Sequence, residues 1–252
     1  MRQSRSVHRR TRILAIGAIA LLAVTGCAQS DATNAPSAGS PEAVVESMGE
    51  RLPAGFSYVD EVAPGILIEA RYGTSRNFTG SVVDGYAGPD VAILRDEAAQ
   101  ALAKVQAGLA ERGQGLLVWD AFRPTRAVAD FVAWSKTPDD ATRAEYYPDL
   151  DKRELFELGY IALESRHSLG GTVDLTIVDA QTGEQLDMGG PFDYFGELSH
   201  FDAAGLSGEQ RANRALLREV MEAQGFEPYP LEWWHFSYPL PEGTPPADFP
   251  VS

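Results

Sequence analysis

The sequence predicts an α+β fold: a single domain with a mostly antiparallel sheet flanked by helices. Two long segments carry apolar residues at helical spacing. They separate strand-like runs that are not neighbours in sequence, an order that favours antiparallel pairing over a regular parallel sheet. From about residue 51 the composition stays globular to the end, with no second linker and no internal repeat.

The elements follow in order. GILIEARY (65–72) reads as a strand. RDEAAQALAKVQAGLAERG (95–113) reads as a helix, with Ala98, Leu102, Val105 and Leu109 on one face and Gly113 as its stop. GLLVWDA (115–121) is an apolar run of strand length. Pro124 opens a second helix reaching about Lys136, since proline suits a first helical turn. TVDLTIVDA (172–180) alternates with a period of two. Residues 207–224 form a further helix, with Ser207 and Gln210 spaced as a capping box. EWWHFSY (232–238) is a final strand.

The N-terminus stands apart. MRQSRSVHRRTR carries five arginines and no acid, and ILAIGAIALLAVTG follows it. The apolar run is short for a membrane span but fits a signal peptide over residues 1–26. VTGCAQS then places the chain's one cysteine, Cys27, in the pattern of a bacterial lipobox. A diacylated Cys27 would supply the two chains that stable anchoring needs. Residues 27–50, rich in Ala, Ser, Pro and Gly, read as a lipidated cysteine with a flexible tether, and 51–252 as the folded domain. The expected location is extracytoplasmic and lipid-anchored, and Arg9–Arg10 leaves the export route open. Without a second cysteine, no disulfide can form within the chain.

Five of the 21 basic residues precede Cys27 and none of the 36 acids does, so the processed chain would carry 16 cations against 36 acids, a net −20. That excludes nucleic acid and a basic patch on anionic lipid as partners. Nothing in the sequence calls for a protein partner.

Chemistry concentrates in two segments. LEWWHFSY (231–238) sets Glu232 three residues before His235 in an apolar stretch, although the chain has only four histidines. A buried carboxylate and imidazole both need partners, and a metal ion would satisfy both. ESRHSLGGTVDLTIVD offers His167 in a loop and Asp174 at a strand entry, with Gly170 and Gly171 able to bend the chain between them. Two imidazoles and one carboxylate leave an open coordination position, as a catalytic zinc requires. Residues i and i+3 of a regular strand face opposite ways. Glu232 can therefore share the site only at an irregular entry, which Pro230 permits; otherwise it is a surface residue beside a core histidine. Arg123 precedes a helix-opening proline, where a cation opposes the helix dipole. It either serves an oxyanion at the site or pairs with Asp120. His200 reads as structural or as a support standing behind the site residues.

Five segments together carry a resemblance: RYGTSRNFTGSVVDGY, GLLVWDAFRPTRAV, SRHSLGGTVDLTI, DMGGPFDYFGELSH and LEWWHFSY. They resemble the D-alanyl-D-alanine dipeptidase family, VanX-type zinc peptidases related to the D,D-carboxypeptidases, over about residues 56–250. The resemblance implies one zinc per chain on His167, Asp174 and His235, Glu232 as catalytic acid/base and Arg123 as transition-state stabiliser. It also implies that Ser165 and Asp193 hold a small dipeptide substrate. Thr172 stands where that pattern usually has alanine. The lipoprotein signal is the larger departure, because the vancomycin-resistance members act in the cytoplasm. Zinc-dependent hydrolysis of D-alanyl-D-alanine, in salvage or wall remodelling, is the expected activity. Trimming of peptidoglycan stem peptides by a D,D-carboxypeptidase is one alternative, and a non-catalytic peptide- or zinc-binding lipoprotein is another.

Overall fold

The computed structural model describes residues 52–252. The expected signal peptide, Cys27 and the expected tether lie outside the described residues. In chain order the elements are β1 (Phe56–Tyr58), α1 (Val59–Val62), β2 (Leu67–Ile68), β3 (Ile93–Arg95), α2 (Asp96–Ala110), β4 (Gln114–Asp120), α3 (Thr125–Ser135), α4 (Arg143–Tyr146), α5 (Glu154–Glu157), β5 (Thr172–Asp179), α6 (Gly208–Glu222), β6 (Glu227–Tyr229) and β7 (Glu232–Ser237). A five-stranded sheet runs β2-β4-β5-β7-β6, and β1 pairs with β3 in a separate ribbon. Only β2–β4 is parallel; the other pairings are antiparallel. This is the expected α+β fold with a mostly antiparallel sheet.

The predicted helices form for the predicted reasons. α2 buries Ala98, Leu102, Val105 and Leu109 and packs against β4 and α6. Each large side chain so buried stabilises the fold by about 1.5–3 kcal/mol before entropy is counted. α6 begins at the capping box, with Ser207 Oγ accepting from the Gln210 amide and the Gln210 side chain accepting from Ser207 N–H. Pro124 sits at the N-cap of α3, one residue earlier than expected.

The first strand is shorter than the sequence implied. GILIEARY keeps only Leu67–Ile68 extended in the sheet, and Arg71–Gly73 form a 3₁₀ turn. Gly73 packs so closely on the Gly88 carbonyl that a Cβ would lie 2.0 Å from its oxygen. That approach requires the chain to leave the sheet edge.

Two features of the sheet position the site. Asp174 of β5 is the register partner of Asp120 on β4 and of His235 on β7. Directly paired residues project to one face, so three polar side chains form a row across adjacent strands. The β6–β7 register shifts between Pro228 and Tyr229, leaving Glu232 opposite Tyr229 at the strand entry. This is the irregular entry that Glu232 needs to join His235.

Candidate active site

His167 lies in the 3₁₀ turn Arg166–Leu169, which Ser165 caps by accepting a hydrogen bond from the His167 amide at 3.2 Å. Gly170 ends the turn at φ 84°, where a Cβ would meet Phe56 at 2.5 Å. The bend expected of Gly170 brings His167 over β5. Its Nδ1 donates to the Ala121 carbonyl at 2.8 Å, which leaves Nε2 as the lone-pair nitrogen facing Asp174 and His235.

His167 Nε2 lies 3.4 Å from Asp174 Oδ2 and 3.3 Å from His235 Nδ1. His235 Nδ1 lies 3.1 Å from Asp174 Oδ1, and that oxygen is buried with no other hydrogen-bond partner. One donor atom from each of these residues falls within 4.8 Å of the others. Burial holds His235 neutral by pushing its pKa down. Burial would raise Asp174, but the two imidazoles outweigh it and keep the carboxyl ionised, well below the usual range. A cation would bind to lone-pair imidazole nitrogens and an ionised carboxylate, displacing any protons that otherwise share the trio. The orphaned Asp174 oxygen and the facing imidazole nitrogens fit one divalent ion of the zinc type.

Glu232 Oε2 lies 3.4 Å from His235 Nδ1. Burial, then the charges of Asp174 and Asp193, push the Glu232 carboxyl well above its ordinary value. Arg123 makes the Asp120 pair that its sequence position allowed, and it also lines the cavity. Its Nε and Nη2 donate to Asp120 Oδ2 at 2.9 and 2.8 Å, and Nη2 stands 3.7 Å from Asp174 Oδ2. The guanidinium packs over the Tyr72 ring at 5.0 Å and the Phe131 ring at 5.1 Å. It stays charged, because Asp120 and its other anionic neighbours outweigh burial.

A cavity of about 250 Å³ joins these groups; Arg123, Ser165, His167, Asp174, Asp193, Glu232 and His235 all line it. Asp193 is buried and takes a left-handed φ of 59°, a region that aspartate enters when its surroundings hold it there. Tyr72 donates to its Oδ2 at 2.9 Å. Burial, then the Asp174 charge, raise the Asp193 carboxyl to about 8. Every site residue expected from the sequence within the described region therefore meets at one cavity. His200 stands outside it, bonded to the Tyr160 hydroxyl at 3.0 Å.

Three supporting groups were not read from the sequence. Asp120 entered only as a rival partner for Arg123, but it also accepts from Tyr86 at 2.6 Å and lies 3.4 Å from His167 Nδ1. Tyr72 both holds Asp193 and stacks on Arg123. Tyr72 and Tyr86 sit in the RYGTSRNFTGSVVDGY segment; only the pairing of distant residues reveals their roles.

Donors closed in by protein on one side and open to a cavity on the other, with a carboxylate and a guanidinium at its edge, place the domain among the metallopeptidases. The chain belongs to the M15 peptidase family described as D-ala-D-ala dipeptidase, whose model matches residues 53–245. A protein of Enterococcus faecium named D-alanyl-D-alanine dipeptidase is 42% identical over 201 residues, 78% of this chain and 98% of that protein. Similar proteins of the same name occur in Streptomyces coelicolor, 43% identical over 78% of this chain and 98% of its own length, and in Enterococcus faecalis, 43% identical over 72% and 90%.

Proposed function

We propose that this chain hydrolyses the dipeptide D-alanyl-D-alanine with one zinc ion held by His167, Asp174 and His235. The observation that carries the reading is that one small cavity is lined both by this donor trio with Glu232 and by a separate buried carboxylate, Asp193. Its volume of about 250 Å³ lies just below the usual range of small-molecule sites, roughly 300–1,000 Å³. That suits a dipeptide better than a peptidoglycan stem. The names of the relatives support the same substrate.

Zinc bound there would supply Lewis acidity and lower the pKa of a coordinated water to about 7. Glu232 accepts the proton of the attacking water. Burial raises the Glu232 carboxyl in the metal-free site; the positive charge of a bound cation would favour its ionised form, which takes that proton and then passes it to the leaving amine. Arg123, held in place by Asp120, faces the oxyanion that develops at the scissile carbonyl. Asp193 receives the substrate ammonium, whose positive charge favours the ionised carboxylate. Ser165 uses its oxygen to cap the 3₁₀ turn and keeps its O–H free to donate to the substrate.

The purified protein should therefore be assayed on D-Ala-D-Ala, its N-acetylated form and a stem pentapeptide. Turnover of the free dipeptide alone supports the reading. Preference for the pentapeptide would make the protein a D,D-carboxypeptidase, and binding without turnover would make it a binding lipoprotein.

The sequence pattern supports a companion proposal about place. Residues 1–26 direct export, Cys27 is lipidated, residues 27–50 form a tether, and 51–252 act outside the cytoplasmic membrane. The substrate would then be dipeptide released in wall turnover or supplied from outside, for salvage or remodelling. Cys27→Ala should release the protein from the membrane fraction; a cytosolic wild type retaining Met1 would overturn the proposal.

A further inference from the structure

Arg214, in the middle of α6, is 1% exposed, and among the described residues it forms no ion pair. Its donors reach main-chain carbonyls instead: Nε to Met188 at 2.6 Å, Nη1 to His200 at 2.7 Å and Nη2 to Leu198 at 3.0 Å. The guanidinium lies over the Trp233 ring, 5.6 Å from its centroid. Burying a charge without an ion-pair partner is costly, and burial, opposed in part by the Asp187 charge, pulls this one down to about 10. It remains a cation at neutral pH. A methionine or leucine would fill the same space without that cost, but neither could bond three carbonyls at once.

The three carbonyls bracket one segment. Met188 precedes Asp193, and Leu198 and His200 follow it. Between Met188 and His200 the only regular structure is the 3₁₀ turn Glu197–Ser199, so the helical and sheet ladders do not hold this stretch. Asp193 has positive φ within it. The same segment is tied to two other parts of the cavity wall. His200 bonds Tyr160, which lines the cavity, and just past the segment the Phe201 amide bonds the Pro230 carbonyl at 3.0 Å, beside the cavity-lining Tyr229.

We propose that Arg214 is a positioning residue for the ammonium site: by gathering the carbonyls of Met188, Leu198 and His200 it fixes the loop that aims Asp193 into the cavity. This inference rests on the reading of Asp193 as the partner of the substrate ammonium. Tyr72 secures the Asp193 side chain, and Arg214 secures the main chain on either side of it, at Met188 and at Leu198 and His200. Loss of that clamp lets the carboxylate wander, which weakens substrate capture more than the chemistry at Glu232.

The test is a double-mutant cycle in the full-length, zinc-loaded protein, with KM and kcat measured on D-Ala-D-Ala for Arg214→Met, Asp193→Asn and the pair. Arg214→Met is expected to raise KM about 10- to 100-fold, the scale of an ångström-sized misplacement, with kcat changed much less. Arg214→Lys should recover part of the loss. The pair should have a KM no worse than Asp193→Asn alone, because a clamp has nothing to add once its target is gone. An unchanged KM in folded Arg214→Met, a fall in kcat alone, or KM effects that multiply in the pair would each overturn the proposal. If Arg214→Met does not accumulate as folded protein, Arg214→Lys decides alone: its ammonium reaches fewer carbonyls, so KM must still rise, and an unchanged KM overturns the clamp. An Asp193→Asn variant with unchanged KM would sink the Asp193 reading itself, whereas a raised KM there and none in the Arg214 variants would sink only the clamp.

Discussion

Asp120→Asn removes a charge that touches Arg123, Tyr86 and His167 at nearly constant side-chain volume. Asp120 Oδ2 accepts from both Arg123 Nε and Nη2, and Oδ1 accepts from Tyr86. The asparagine oxygen can still accept from Tyr86, so the loss falls on Arg123. Removing one partner of a buried ion pair costs about 3–5 kcal/mol; with the Tyr86 bond kept, the lower figure applies. For a domain of this size, about 3 kcal/mol corresponds to a Tm lowered by roughly 6–12 °C. The freed guanidinium has one carboxylate left within reach, Asp174 at 3.7 Å. It would compete with the metal for that ligand, so zinc affinity should fall about 10-fold, the lower end of losses from outer-shell changes. Urea unfolding of the metal-free protein measures the first effect, and zinc titration against a competing chelator the second. A stability change below about 1 kcal/mol together with unchanged zinc affinity would refute the reasoning.

Two further outcomes follow from the site. His167→Ala should lose its bound zinc, read by elemental analysis of the folded variant; an unchanged zinc content would remove His167 from the ligand set. Asp193 carries a pH signature. Its folded pKa is raised from 3.8 to about 8, so the native state binds the proton more tightly than the unfolded chain does. Its contribution to stability is therefore fully present below about 3.8, falls as pH rises, and is lost by about 8, at up to about 1.4 kcal/mol per pH unit. Asp193→Asn should make the metal-free protein less sensitive to pH across that window, and parallel stability curves for the two proteins would contradict this.

The long elements were legible because their periodicity is local. α2 and α6 announce themselves by apolar spacing and by the Ser207–Gln210 cap, and β5 and β7 by their β-rich composition. β1 and β3 are three residues each and too short to carry a pattern. The truncation of β2 depends on the close approach of Gly73 to Gly88, a contact between distant residues. The candidate metal trio could be guessed because histidines are scarce, and the family resemblance joined it to Glu232, Arg123, Ser165 and Asp193. Tyr72, Arg214 and the wider role of Asp120 escaped notice for a common reason. An aspartate on a strand, a tyrosine after an arginine and an arginine in an amphipathic helix all look ordinary until the fold supplies their partners. For Arg214 a faint signal existed, since α6 places it near the apolar face occupied by Leu217 and Met221.

The central claim is that Glu232 moves the proton beside a zinc ion that other residues hold. Its most direct test is the turnover of D-Ala-D-Ala by zinc-loaded wild type and by Glu232→Gln, with metal content measured on the same samples. The account predicts one zinc per chain in both proteins and a rate lowered by about 10²–10⁴-fold in the variant. Near-normal turnover by folded, zinc-loaded Glu232→Gln would contradict it.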